Sequence, residues 1–350
     1  MLSSLILSTV SAPNILSPSS SSALAQQHSL GKRRVQAHEE RFLFRTYLMR
    51  SLKALVYRWV SQTFMAGCSN YNSLTVRKAS RSKRQARDMF EQHDIPHAKG
   101  AVFINPYSAY RFAKTHGFPI CIKPNVSGFS RGSYFPITNF RQLWKAALLV
   151  KVWWPTSIIE QYLEGANYRV LASDSDLVSV IRRYPPFVDG NGRDSIETLI
   201  DAENKVREQM GLYPTMHPIS KGSATVAYLA KSGRNLNTVP AEAERVLTFN
   251  RVALAPGGIV EIIDQSTIPA ANRELFLRVI KAFDAKLFGI DVIFEEGIHK
   301  DYREQRCIFL EVNSRPFTRM HSYPRYGEAE DLDAFYQEMD KLHIADADTF

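Results

Sequence analysis

Two strand-length runs near the carboxyl end constrain this chain more than anything else in it. In "FGIDVIF" (Phe288–Phe294) and "CIFLEVNSRP" (Cys307–Pro316), residues of high strand preference are interrupted by Asp291, Glu311, Asn313 and Arg315. Side chains alternate across a strand, so Glu311, Asn313 and Arg315 share one face while Val312 and its apolar neighbours share the other. A carboxylate and an amide oxygen on one face at the mouth of a sheet suit a hard divalent cation that keeps some waters, as Mg²⁺ does when it holds phosphates. Asp291 sits in an otherwise apolar run, where a buried carboxylate needs a cation or a hydrogen-bond partner.

The length of 350 residues bounds the rest, allowing a substantial core, about two domains and a tail. A hydrophobic share of 45% and a charged share of 23% are those of an ordinary globular chain. The formal charge of +9 suits nucleic acid, anionic lipid or phosphorylated ligands alike, since each rewards a positive field. Part of that charge is local: "VRKASRSKRQAR" (Val76–Arg87) holds six basic residues and no acid, either as a solvated helix face or as a contact for such a ligand. Cys68, Cys121 and Cys307 are far apart and in no metal spacing, which points to a reducing compartment and argues against a disulfide framework or structural zinc. No apolar run approaches the ~20 residues that span a bilayer.

Residues 1–37 are rich in serine, lack acids and show no sustained period, so they read as a disordered tail, with an organellar transit peptide as the alternative. In 38–79, Phe44, Leu48, Leu52, Leu55 and Trp59 recur at helical spacing among Arg41, Arg45 and Lys53, a basic amphipathic helix followed by a linker. This helix either packs on the globular body or docks on a membrane surface or partner. Helices and strands then mix: a helix closed by Pro96, a buried strand at Phe118–Lys123, a helix at "NFRQLWKAALLV", a strand at "SIIEQYL" and a hairpin over Asn167–Tyr184 turning at Ser173–Asp176. A helix near Ile196–Glu208 and a long one over "ANRELFLRVIKAFDAKLFG" precede the strands that carry Asp291 and Glu311. The fold class is α+β.

Two further stretches carry chemistry. Lys123 ends a buried strand, and the residues after it include Ser127, Gly128, Ser130 and Gly132, whose backbone amides would cradle phosphate oxygens under a lysine charge. This is not the P-loop pattern, because no Gly-Lys-Ser/Thr opens a helix there. In "SIIEQYLEGANYRV", a strand edge running from Glu160 to Leu163 offers backbone polar groups and a carboxylate to an adenine and a ribose.

In order and spacing, "HGFPICIKP", the Gly/Ser loop, "IIEQYLEGANYRVL", "GIDVIFEEG" and "FLEVNSRP" resemble the ATP-grasp carboxylate–amine ligases. "PPFVDGNGRDSIETLIDAEN" and "RMHSYPRYGE" resemble stretches of the branch shared by cyanophycin synthetase and the bifunctional glutathione synthetases, and the likeness covers roughly Ser80 to Glu328. The resemblance implies an ATP-grasp fold in which two α+β lobes clasp ATP, with a reduced N-terminal domain. A leading helix and strand would fill 80–116, the ATP-binding lobe 117–165, the metal and substrate lobe 166–330, and a helix or tail 331–350. The implied reaction is amide formation through an acyl phosphate, with release of ADP and phosphate. It needs charge neutralisation and alignment rather than a protein nucleophile.

The resemblance also implies roles for residues. Arg87, Lys123, Ser127, Gly128, Ser130 and Gly132 would hold the ATP phosphates, and Glu160, Gln161, Leu163 and Asn167 the adenosine. Asp291, Glu311 and Asn313 would ligate Mg²⁺, two ions of it, or Mn²⁺. Arg169 and Arg315 would act at the reacting phosphate, and Arg183, Arg319 and His321 would face substrate. Departures stand at Arg87, where relatives carry lysine, at Ala253 and Pro256, where polar groups are usual, and at Phe317 in place of glycine. They bear on substrate more than on ATP. The expected substrates are an amino acid or short peptide and an amine, with a partner protein or a second copy completing the site, and the expected location is cytoplasmic. A non-catalytic ATP-binding module is the alternative. Nucleic acid is disfavoured because the basic residues lack the interleaved aromatics of a stacking platform.

Overall fold

Alternation of apolar and polar residues builds two antiparallel sheets, each with one face closed by helices. The computed structural model describes residues 71–125, 132–152, 154–314 and 316–341, and the expectations for the tail, the amphipathic helix and part of the Gly/Ser loop lie outside them. The chain enters through α1 (Leu74–Arg81) and α2 (Lys83–Gln92), capped by Ser73 and Ser82, whose hydroxyls accept from Val76 N and Gln85 N. The basic run over these helices is only partly a solvated face, with Lys78 and Arg84 exposed and two others turned inward. Arg77 is 1% exposed, and the Lys83 side chain is only 10% exposed.

The first sheet is formed by β1 (Gly100–Phe103), β2 (Ile120–Pro124), β3 (Tyr134–Ile137) and β4 (Ser157–Gln161), in the order β1-β4-β2-β3. Phe103, Ile120, Ile122 and Ile159 point into a core shared with α3 (Pro106–His116) and α4 (Phe140–Leu149). Register then places Cys121, Lys123, Ile158 and Glu160 on the opposite face. The lobe takes in β1 and α3, so its sheet begins upstream of residue 117.

The second sheet adds β5 (Ala166–Ser173), β6 (Leu177–Tyr184), β9 (Ile259–Ile262), β10 (Leu287–Phe294) and β11 (Cys307–Asn313), ordered β11-β10-β5-β6-β9. Between β6 and β9 lies a smaller layer, where the hairpin β7 (Phe187–Asp189) and β8 (Arg245–Leu247) packs with α5 (Ile196–Gln209) and α6 (Ser223–Ala230). Helix α7 (Ala270–Phe283) buries Leu275, Phe276, Val279, Ile280 and Phe283 against Tyr168, Val170, Phe288, Ile290 and Val292 of the large sheet. The helix stops at Asp284, which adopts a left-handed conformation (φ 53°), and the chain is a strand again from Leu287. The long helix expected over "ANRELFLRVIKAFDAKLFG" therefore ends early. Asp284 breaks it, and Leu287–Gly289 are needed in the ladder.

Strict alternation along β11 would put Phe309 on the same face as Glu311. A bulge resolves the conflict: Asp291 pairs with Glu311, Val292 pairs with Phe309, and Leu310 is the extra residue. Phe309 and Val312 thereby both reach the core, while Glu311 and Asn313 stay on the open face. The chain continues into α8 (Arg319–Ser322) and ends, within the described residues, in α9 (Asp333–Lys341).

Candidate active site

On the large sheet the polar face is assembled by register. Arg169 on β5 and Glu311 on β11 both stand opposite Asp291 on β10, and Asn313 stands opposite Gly289. Arg169 forks onto the Asp291 carboxylate, with Nε donating to Oδ1 and Nη2 to Oδ2 at 2.9 Å. Arg183 adds a contact from Nη2 to Oδ2 at 3.1 Å, and its Nε donates to Asn167 Oδ1 at 2.8 Å. Burial alone would raise the Asp291 pKa, but the two guanidinium groups overcome it and hold the carboxyl below the usual carboxylate range. Gly289 makes room for this fork: a Cβ there would lie 2.8 Å from Pro316 Cβ and 3.1 Å from Arg169 Cδ.

His321 completes the floor. It is fully buried, and its Nδ1 is 2.8 Å from Ser179 Oγ on β6. Burial, with Arg169 and Arg183 nearby, pushes its pKa down to about 3, so the imidazole is neutral, and its Nε2 has no partner among the described residues. Arg319 lies over the Tyr323 ring at 4.8 Å, with its buried Nε also unpartnered among the described residues.

Across the cleft, Lys123 Nζ is 2.5 Å from Glu160 Oε2, the two side chains being 10% and 9% exposed. Burial opposes the charge on Lys123, yet Glu160 outweighs it and raises the pKa, with Glu311 contributing from the other sheet. Arg87 stands beside this pair. A Cβ on Gly100 would lie 2.6 Å from Glu160 Cγ and 2.9 Å from Arg87 Nη1, so only glycine admits both, and Nη1 is buried without a partner among the described residues. Lys83 Nζ is 3.4 Å from Glu311 Oε2, and the α2 amino terminus docks on Asn125 just after Lys123. Lys83, Gly100 and Ser179 escape the motif reading of the sequence. A glycine inside a strand signals close approach, whereas a serine on β6 signals nothing.

Gln161 and Leu163 lie at the end of β4 and line a cavity of 390 Å³ with His97, Lys99, Tyr302 and Arg306. None of the charged residues above lines it. Gly132 is buried in a left-handed turn (φ 70°), while Ser127, Gly128, Ser130 and Arg315 lie outside the described residues. Burial pushes the thiols of Cys121 and Cys307 up to about 12, so neither is a thiolate nucleophile near neutral pH.

No group of three or more His, Cys, Asp or Glu side chains fit to hold a metal occurs among the described residues. The oxygen donors here are two carboxylates and one amide. Asn313 spends its Nδ2 on Gly289 O at 3.3 Å, which leaves Oδ1 to accept or ligate, and the Glu311 side chain is 35% exposed. This set fits Mg²⁺, which needs only a few protein oxygens beside water and phosphate. Asp291 is the least available of the three.

No protein-family model matches the chain. It is 27% identical over 252 residues to the glutathione biosynthesis bifunctional protein of Clostridium perfringens, covering 71% of this chain and 32% of that protein. To the cyanophycin synthetase of Crocosphaera subtropica it is 27% identical over 296 residues, covering 83% and 34%. The crystal structure of a bifunctional glutathione synthetase from Pasteurella multocida superposes with a TM-score of 0.57 at 18% identity, over 78% of this chain and 37% of that one. The chain is a relative of these proteins and has the ATP-grasp fold. It spans about a third of the length of the curated relatives it matches. Within the ATP-grasp frame, Lys123 and Glu160 belong to the smaller sheet, and Asp291, Glu311 and Asn313 to the larger.

Proposed function

We propose that this chain is an ATP- and Mg²⁺-dependent ligase that joins a carboxylate, of an amino acid or short peptide, to an amine. One observation carries the reading: Asp291 and Glu311 stand opposite each other on the open face of the large sheet, with Lys123 of the smaller sheet inside the electrostatic range of Glu311. Two facing surfaces thus offer oxygen ligands on one side and cations on the other, which is what a metal-bound triphosphate requires.

In this reading Lys123 and Arg87 hold ATP phosphates, while Glu160 to Leu163 and Asn167 hold the adenosine. Glu311 and Asn313, with Asp291 behind them, would hold Mg²⁺, and Mn²⁺ or a second ion would use the same oxygens. The bound ion would supply charge neutralisation at the phosphates. Arg169, fixed by its fork onto Asp291, presents its remaining N–H groups to the acid being phosphorylated. Attack of the substrate carboxylate oxygen on the γ-phosphorus breaks the bond to ADP and leaves an acyl phosphate. The amine then adds at the acyl carbon, phosphate departs, and the amine proton lost passes to solvent or phosphate. His321 is held neutral and buried, and it orients β6 and α8 around the substrate rather than carrying charge. A reducing, cytoplasmic location accords with the free thiols of Cys121 and Cys307.

The test offers pooled amino acids and small amines with Mg-ATP and follows phosphate release beside product mass. A new mass equal to acid plus amine less water, formed in step with phosphate, supports ligation. Phosphate without a new amide reduces the reading to phosphoryl transfer. A protein that binds ATP and turns over nothing is the non-catalytic module, a reading favoured by the arginines that already occupy Asp291.

A further inference from the structure

The smaller lobe carries a surface that the proposed chemistry does not use. Between Asp94 and Glu160 the sequence contains no Asp or Glu and eight lysines and arginines. The outer sides of α3 and α4 form one continuous strip there. Phe140, Trp144 and Leu148 recur every fourth residue along α4, and Tyr110 of α3 touches Phe140 and Trp144 at ring separations of 5.1 and 6.0 Å. Leu148, one turn beyond Trp144, extends the strip at 61% exposure, and Ile104 and Val152 of the same lobe are exposed at 70% and 59%. The basic side chains of Arg111, Lys114, Arg141 and Lys145 are exposed around it. Single exposed apolar residues are ordinary, but a contiguous aromatic and aliphatic strip in an acid-free, basic field is not.

We propose that this face of α3 and α4 docks the protein on an anionic lipid surface. Three observations choose the bilayer over other polyanions. Trp, Tyr and aliphatic tips among Lys and Arg match the boundary between acyl chains and anionic headgroups. The rings lie against one another, Tyr107 on Tyr110 at 5.7 Å and Tyr110 on Trp144, which leaves few free faces for bases to stack on. Protein interfaces are depleted in lysine, whereas Lys114 and Lys145 flank this strip. No described helix is long and apolar enough to cross a membrane, so the association is peripheral. Since α3 and α4 cover the face of the smaller sheet opposite Lys123 and Glu160, docking leaves the cleft open. Docking of this kind is independent of whether the cleft is a ligase.

The experiment sediments the full chain with vesicles of neutral phosphatidylcholine, and with vesicles containing about 30% phosphatidylglycerol, in about 0.1 M salt. Partitioning should favour the anionic vesicles by about tenfold or more and fall as salt rises. Trp144→Glu combined with Leu148→Glu should lower it by about tenfold, and Arg141→Glu combined with Lys145→Glu should remove the preference for anionic lipid. All four residues are exposed, so unchanged thermal melting separates lost docking from lost folding. Equal partitioning to both vesicles overturns the proposal, as does wild-type binding by the α4 variants, which would assign any docking to another segment. Retention on single-stranded DNA with no vesicle binding overturns it in favour of nucleic acid.

Discussion

The smaller sheet sets Lys123 against Glu160 one to one, whereas the larger sheet sets Asp291 against both Arg169 and Arg183 and leaves Glu311 partly in solvent beside Lys83. Both faces of the cleft are buried and charged, but their carboxylates divide the work differently. Glu160 and Asp291 are 7% and 4% exposed and are held by cations that folding has already placed. Glu311, with 35% of its side chain exposed, is the carboxylate free to turn toward a ligand. The difference teaches that position in a ladder does not assign a role. Asp291 and Glu311 are register partners, yet one anchors the fold and the other is open to chemistry.

Substituting each member of that pair breaks the comparison most sharply. Glu311→Ala should lower turnover by about a thousandfold or more with a smaller loss of stability than Asp291→Ala, because Glu311 is partly exposed and meets a single cation, Lys83. Asp291→Ala should instead cost about 3–5 kcal/mol of stability in urea unfolding, since two buried guanidinium groups lose their partner. Equal stability losses in the two variants would erase the distinction.

On the smaller sheet, Lys123→Met should also cost about 3–5 kcal/mol by stranding Glu160, and the double variant with Glu160→Gln should recover much of that stability without recovering ATP binding. Recovery of both would make the pair purely structural. The neutral His321 gives a pH signature that belongs to the larger sheet alone. Its folded pKa, about 3, lies below the unfolded value of 6.5, so the unfolded chain takes up the proton first and stability falls as pH drops through that window. Between pH 6.5 and pH 5 the loss should be about 2 kcal/mol, and His321→Gln should flatten that part of the profile. An effect of similar size is expected at Gly100→Ala. Its Cβ would crowd Glu160, Arg87 and the Ile159 carbonyl oxygen, costing about 1–3 kcal/mol and weakening ATP binding.

Much of this arrangement is legible in the amino-acid sequence. Runs of strand-forming residues place β2, β4, β10 and β11, alternation puts Glu311 and Asn313 on one face, and Asp291 stands out as an acid inside an apolar strand. The bulge at Leu310 is not legible, since alternation carries no mark for an inserted residue. Nor is the fate of the basic run. Charge alone reads as solvated, and only tertiary contact shows Lys83 turned onto Glu311 and Arg87 placed beside Gly100. Asn167 reads from resemblance as a ribose ligand, but here its Oδ1 accepts from Arg183, a cross-strand partner that no local pattern reveals. The layer between β6 and β9 is the least readable, because its short elements β8 and α6 are joined by long connections with little periodicity.

Equilibrium titration of a fluorescent ATP analogue, with Mg²⁺ and with chelator, into wild type, Lys123→Met and Glu311→Ala tests the central claim most directly. If the two sheet faces clasp one metal-bound triphosphate, wild type binds in a Mg²⁺-dependent way. Lys123→Met then weakens binding by about thirtyfold or more, and Glu311→Ala loses most of the Mg²⁺ dependence. Binding by both variants that matches wild type, with the same response to chelator, contradicts the account.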